Sequence, residues 1–279
     1  MQKYALLRRQ VSACELVPPE QLCLPEAATD AQITRAHDPD YLRRVRAGLL
    51  TTPEIRRIGF PWSPELVERS RRSVGATIAA CRAALQDGVA VNLAGGTHHA
   101  FADQGAGYSV FNDSAIAART MQAEGRVRRV VIIDADVHQG NGTAAILADD
   151  PTIFTFSIHG AKNYPFRKCP GDLDIALEDD ADDLSYLAAF ERGLYQALER
   201  AGAELAIYLA GADPYFDDRL GRLAVSKSGL AERDMLVLEQ CRNAGIPLAI
   251  TMAGGYARRV QDTVDIHFQT VRAATELRR

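Results

Sequence analysis

From about residue 90 the chain alternates between short apolar runs rich in β-branched residues and longer amphipathic segments, a rhythm that few architectures accept. It is the pattern of βα units wound around a parallel sheet. Strands are expected over 90–93, 130–133, 153–158, 205–209 and 248–252, with helices near 113–123, 143–148, 183–201, 229–243 and 261–276. Ser63-Pro64 reads as an N-cap followed by proline at the first helical position, and Asp87-Gly88 as a stop, which predicts a long helix over 64–86. The first sixty residues contain Pro18-Pro19 and helical patterns near 2–12 and 39–49, with no strong strand and no repeat. Crossover helices must cover both faces of a parallel sheet. The expected fold is therefore a three-layer α/β/α domain with a central, mostly parallel sheet, its helical N-terminal part over 1–60 and its βα core over 61–279.

No Ser/Gly- or Pro-rich stretch divides the 279 residues, so one domain is expected, large enough to bury roughly three quarters of its unfolded surface. The five cysteines (Cys14, Cys23, Cys81, Cys169, Cys241) are odd in number and contain no C-x-x-C pair, which argues against a disulfide framework and a structural zinc knot. A reducing compartment suits them. The first residues lack the apolar run of a signal peptide and no segment has the length of a membrane span, so a soluble, cytoplasmic protein is expected. With 32 basic and 36 acidic side chains, interspersed, the net charge is −4 and no basic stripe points to nucleic acid.

In open parallel sheets ligands sit beyond the carboxyl ends of the strands. There the sequence reads Gly95-Gly96-Thr97-His98-His99, then Asp134-Ala135-Asp136-Val137-His138-Gln139-Gly140-Asn141-Gly142, then Ser157-Ile158-His159, then Gly211-Ala212-Asp213-Pro214, and last Ala253-Gly254-Gly255-Tyr256. Four of the six histidines thus fall on one predicted sheet edge, a concentration that singles that edge out.

Asp134, Asp136 and His138 are spaced by two, so if the strand continues past Ile133 their side chains lean to one face, about 7 Å apart along the backbone. Asp136 and His138, joined by Asp213 from another strand end, offer two carboxylates and an imidazole to one ion and leave a position open, the mark of a catalytic site. Zinc is the first choice; such nitrogen and oxygen ligands also suit ferrous iron. His98-His99 follows two glycines that allow a tight turn, so both rings can face one pocket. One ring would then act as general base, while the other stabilises developing charge and helps protonate the leaving amine. Asp134 and Asn141 are the candidate acceptors that orient the two rings. Tyr256 after two glycines would put a phenol at the mouth, where its O–H can donate to an oxyanion. Taken singly, each motif has a plainer reading: a polar strand end, a surface histidine pair, a turn or cap at Asp213-Pro214, a tyrosine on a glycine turn. Their agreement on one edge carries the inference.

In order and spacing G-G-T-H-H, D-A-D-V-H-Q-G-N-G, G-A-D-P and G-G-Y resemble the motifs of the histone-deacetylase superfamily of the arginase-deacetylase fold, over roughly 60–276. The H-Q-G-N-G run and the stretch 211–221 look most like class IV and related bacterial deacetylases. The resemblance implies zinc on Asp136, His138 and Asp213, acid and base work on His98 and His99, and transition-state stabilisation by Tyr256. It also implies a buried monovalent cation, usually potassium, near Asp134, Asp136, His138 and Ser157. A narrow substrate tunnel is implied at Gly107, Tyr108, Tyr164 and Phe166, with Gly255. The expected activity is zinc-dependent hydrolysis of acyl-lysine or a related acyl-amine, with His99 taking the water proton. A two-metal, ureohydrolase-like site and a non-catalytic acyl-lysine binding protein are the alternatives.

Three departures accompany the resemblance. Asn141 stands where several members carry an aspartate, and a neutral amide stabilises an imidazolium less. The loop Gly59-Phe60-Pro61-Trp62 lacks the rim aspartate that grips peptide backbone, so histone peptides are expected to be poor substrates. Relatives usually begin with an extra strand and loop before the region matching Met1, and the lack of that edge is expected to lower stability or activity.

Overall fold

The computed structural model describes residues 2–278. Among them six strands form one sheet: β1 (Val89–Asn92), β2 (Val130–Asp134), β3 (Ile153–Gly160), β4 (Leu173–Leu177), β5 (Leu205–Leu209) and β6 (Leu248–Thr251). Their spatial order is β1-β6-β5-β2-β3-β4 and every pairing is parallel. All carboxyl ends therefore meet at one edge. The central strands β2 (Val-Val-Ile-Ile-Asp) and β5 (Leu-Ala-Ile-Tyr-Leu) are buried along their whole length. Unbroken apolar runs of this kind are what a strand covered on both faces requires.

Ten α-helices cover the sheet among the described residues. On one face lie α1 (Gln2–Ala13), α8 (Asp183–Ala201), α9 (Lys227–Asn243) and α10 (Val260–Arg278), whose Leu7, Leu194, Val237 and Val264 share a core with Val131 and Ile133. On the other lie α2 (Asp30–Ile33), α3 (Pro39–Ala47), α4 (Thr52–Ile58), α5 (Pro64–Asp87), α6 (Asp113–Ala123) and α7 (Asn141–Leu147). There Ile33, Val45, Ile78 and Ile116 pack with Ile132 and Ile207. Successive β2 side chains thus feed opposite cores, which makes the three layers. No helix among the described residues is long and apolar enough to cross a membrane.

The helix signals act as read. Ser63 Oγ accepts from the Leu66 N–H at 3.1 Å, Pro64 opens α5, and Gly88 closes it with φ of +85°. Two short helices were not expected, α2 and α4; each begins at a capping box, Thr29 with Gln32 and Thr51 with Glu54. Strand β4 was not expected either. It is an edge strand whose Leu-Asp-Ile-Ala-Leu alternates between partly buried and exposed positions. A short edge strand interrupted by an aspartate gives little apolar signal; its register is pinned by Asp172 Oδ2, which accepts from Thr155 N at 2.8 Å and Thr155 Oγ1 at 2.9 Å.

Candidate metal centre and active site

Strand β2 ends at Asp134, so the expected extended run through His138 is not formed. Each carboxylate instead folds back on the chain: Asp136 N donates to Asp134 Oδ1 at 3.1 Å, and His138 N to Asp136 Oδ1 at 2.9 Å. Such turns are the ordinary habit of aspartate at a strand end. The alternation nevertheless survives, because Ala135 and Val137 sink into the core while residues 134, 136 and 138 face the site. His159, expected just after its strand, lies inside β3, where its Nδ1 is 3.0 Å from Ser157 Oγ.

Asp136, His138 and Asp213 converge: one ligand atom from each lies within 4.8 Å of the others. His138 Nδ1 is 2.9 Å from Asp136 Oδ1 and 3.3 Å from Asp213 Oδ2. The backbone fixes the outer oxygens, with Val137 N donating to Asp213 Oδ1 at 2.9 Å and Gly254 N to Asp136 Oδ2 at 2.7 Å. Asp213 Oδ2 is buried and accepts no well-formed hydrogen bond. A buried carboxylate oxygen without a partner is costly unless something positive meets it. The electrostatics of the cluster point the same way. Burial alone would lower His138, but Asp136 and Asp213 lift it to about 10, while burial and the Asp136 carboxylate raise Asp213 to about 6. The cluster attracts positive charge, and its two carboxylates and imidazole suit a divalent ion. Gly254 completes the cradle, since a Cβ there would overlap Asp213 Oδ2.

The histidine pair sits beside this cluster. The turn before it needs glycine, with φ of +79° at Gly95 and +76° at Gly96, and a Cβ on Gly96 would strike the Ala253 backbone. Asp113 at the start of α6 holds that turn, accepting from Gly96 N at 2.9 Å and Thr97 N at 2.7 Å. His98 Nδ1 lies 2.6 Å from Asp134 Oδ2, and His99 Nδ1 lies 2.8 Å from Asn141 Oδ1. The ring centroids are 4.1 Å apart. Burial opposes charge on His98, but Asp134 and Asp136 outweigh it and raise the ring to about 9. Burial and the neighbouring His98 hold His99 well below its ordinary value. The pair is therefore split into one cationic and one neutral ring, which is how adjacent groups acquire acid and base roles.

A cavity of about 1640 Å³ reaches this cluster. Gly107 packs against the His99 ring, and Tyr164 meets the same ring edge-on at 4.9 Å. Tyr108 lies 5.8 Å from Tyr256 and 5.1 Å from Phe60. Phe166, 90% exposed, stands outside as a rim. Tyr256 lines the cavity, and burial pushes its phenol above the ordinary value, so at neutral pH it is a donor. Gly254 and Tyr256 line the cavity on either side of Gly255, where a Cβ would meet Thr263 and Ala212. The loop from Gly59 is tied inward by Trp62, whose Nε1 donates to Val45 O at 2.7 Å.

Lys3, Asp113 and Arg233 had no place in the sequence reading. Lys3 is buried and donates from Nζ to Ala253 O at 2.9 Å and Gly255 O at 3.3 Å. Arg233, also buried, pairs with Asp234 at 2.8 Å and donates to Gly211 O at 2.7 Å, behind the loop that carries Asp213. No local motif marks Lys3, whose partners lie 250 and 252 positions along the chain.

The histone deacetylase domain model matches residues 1–271. An uncharacterized protein of Picosynechococcus sp. is 43% identical over 99% of this chain and 92% of its own length. Histone deacetylase 2 of Arabidopsis thaliana is 31% identical over 86% of this chain, and a histone deacetylase-like amidohydrolase of Pseudomonas aeruginosa 29% identical over 85%; the matched region spans 66% of each. Among solved structures, a histone deacetylase homolog from Aquifex aeolicus superposes with a TM-score of 0.82 at 21% identity, over 95% of this chain and 76% of that one. Such likeness in structure at low identity shows the same fold.

Proposed function

We propose, from the premise that this chain belongs to the histone deacetylase family, that it hydrolyses the amide of acyl-lysine or a related acyl-amine with one divalent ion, zinc in the first instance. The observation that carries the reading is the convergence of Asp136, His138 and Asp213 around a buried carboxylate oxygen that accepts no well-formed hydrogen bond, next to two oppositely tuned histidines. An ion held by these three residues would supply Lewis-acid activation of the amide carbonyl and of the attacking water.

The chain's own residues do the rest. His99 donates Nδ1–H to Asn141 Oδ1, which leaves the Nε2 lone pair free to take the water proton. His98, held cationic by Asp134, faces the developing negative charge and is the proton source for the leaving amine. Tyr256 donates its phenol hydrogen to the oxyanion. Tyr108 and Tyr164 flank the chain that carries the amide. The proposal includes a structural potassium ion near Asp134 and Ser157, which stand opposite each other in the β2–β3 register, and a reducing, cytoplasmic setting for the free cysteines. Among the described residues this triad is the one metal-capable cluster, which favours a single ion over the two-metal alternative. Tyr256→Phe tests the reading: turnover of an acetyl-lysine reporter is expected to fall about two to three orders of magnitude, and an unchanged rate would refute the role given to the phenol.

A further inference from the structure

We infer that the mouth of the site selects acyl-lysines flanked by acidic side chains, with Arg57 and Arg219 as specificity-determining residues; the inference names a substrate class for the proposed deacylase and rests on that reading. Two loops meet at the mouth. Asn163 Nδ2 donates to Leu220 O at 2.7 Å, and Lys168 Nζ braces the first loop through Asn163 O at 2.6 Å and Pro165 O at 2.8 Å. Tyr164 and Leu220, 37% and 44% exposed, are thereby brought to one rim with Phe166. A further wall comes from the end of α4, where Gly107 N donates to Arg57 O at 3.0 Å and Tyr108 N to Ile58 O at 2.8 Å. The charged residues that these segments give to the cavity lining are Arg56, Arg57, Lys162, Arg219 and Arg222, with no acid among them. The acids elsewhere in the lining are Asp136 and Asp213 of the triad, and Glu20 and Asp87, which belong to the segment before α2 and the end of α5.

The chain as a whole carries −4, so a rim of one positive sign is not its average surface. Elsewhere exposed arginines meet carboxylates, as Arg43 does Asp40, Arg72 does Glu68 and Arg128 does Glu204. Arg57 and Arg219 instead meet neutral oxygens: Arg57 Nη1 donates to Gln104 Oε1 at 2.5 Å, and Arg219 Nε to Tyr256 O at 3.1 Å. The acids near them are engaged otherwise. Asp179 pairs with Arg222 at 2.7 Å and Asp217 with Arg258 at 3.1 Å, while the buried Asp218 accepts from the backbone of Leu220 at 2.8 Å and Tyr256 at 2.5 Å. Each guanidinium is thus held by one nitrogen and keeps its charge unpaired at the opening. Burial raises the Tyr164 phenol, and the Arg57 charge opposes that rise, which places Arg57 within electrostatic reach of the tunnel wall. The tunnel takes the acyl-lysine chain, so what meets the rim is carried by the segment on which the lysine stands. A carboxylate is the group that a guanidinium fork matches best, and a segment rich in lysine and arginine would be repelled by the same charges.

The experiment compares acetyl-lysine reporter peptides that differ only in carrying glutamate, glutamine or lysine on both sides of the acetyl-lysine. The ratio of kcat/KM for the glutamate peptide to that for the lysine peptide is expected to be about tenfold at low salt and to shrink to about twofold at roughly 1 M salt, as the pull of exposed charges does. Arg57→Gln and Arg219→Gln each lower the ratio about threefold, and the double variant brings it close to unity. A uniform loss of activity, such as a disturbed Tyr256 would cause, cancels in the ratio. Arg128→Gln, an exposed arginine before the amino end of β2, leaves the ratio as it was. Equal kcat/KM for the peptides, a ratio that survives both substitutions, or one that falls as far with Arg128→Gln overturns the inference while the deacylase reading stands. The single variants carry the same test if the double variant fails to fold. Should no peptide be cleaved, the deacylase reading fails by itself, and fluorescence anisotropy of the same peptides decides the rim: tighter binding of the glutamate peptide that Arg57→Gln and Arg219→Gln abolish supports it, and equal binding overturns it.

Discussion

In the proposed mechanism Asn141 sets the working range of His99 as the base. Its amide oxygen accepts from Nδ1 at 2.8 Å but brings no charge, and burial keeps the ring neutral. A carboxylate in the same place would favour the imidazolium and raise the pKa of the base. Asn141→Asp is therefore expected to move the acid limb of kcat/KM to higher pH, because the base must be deprotonated to act; a limb that stays put or moves down contradicts this pairing. At this scale the sequence announces chemistry where it repeats. Asp136, His138 and the His98-His99 pair stand in runs of polar residues directly after apolar strands, and Asp213 stands in the same position after β5. Lys3 is 250 positions from the carbonyl it binds, and no window of local sequence connects them.

Elements place these residues through close backbone approach. Helix α7 begins at Asn141, and Gly142 in its first turn lies so near the Ala100 carbonyl that a Cβ would overlap it. Gly142→Ala is expected to push α7 off the histidine loop, costing about 1–3 kcal/mol of stability as overpacking does, with a loss of turnover as Asn141 leaves His99. Urea unfolding measures the first effect, and a variant as stable as the parent would show that the contact relaxes freely. The elements most legible in the sequence are those with a continuous apolar run, β2 and β5, or a full set of end signals, α5. Strand β4 was hidden because one of its faces meets solvent and Asp174 interrupts it. The short helices α2 and α4 were hidden because four and seven residues carry too little periodicity to read, although their capping boxes are plain once the ends are known.

For the whole molecule, His37 is a buried tie between the N-terminal helices and the loop that carries the histidine pair. Its Nε2 accepts from Asn112 N at 2.8 Å and its Nδ1 lies 3.3 Å from Ala102 O, joining the segment before α3 to the loop before α6. Burial holds it down to about 4 from 6.5, so between those values the unfolded chain takes up a proton that the fold refuses. Acidification through that window therefore favours unfolding, by a few kcal/mol at most, and stability returns as pH rises above it. Guanidinium unfolding of the parent and of His37→Gln across pH 7 to 4 should show the steeper fall in the parent; parallel curves would remove His37 from the account. The architecture itself was readable because a parallel sheet leaves one edge for chemistry. The central claim is that this edge holds one catalytic ion on Asp136, His138 and Asp213. Titrating metal-free protein with zinc while following acetyl-lysine hydrolysis tests it most directly: activity is predicted to rise and level off at about one ion per chain, whereas no hydrolysis at any loading, or a plateau at about two, would contradict it.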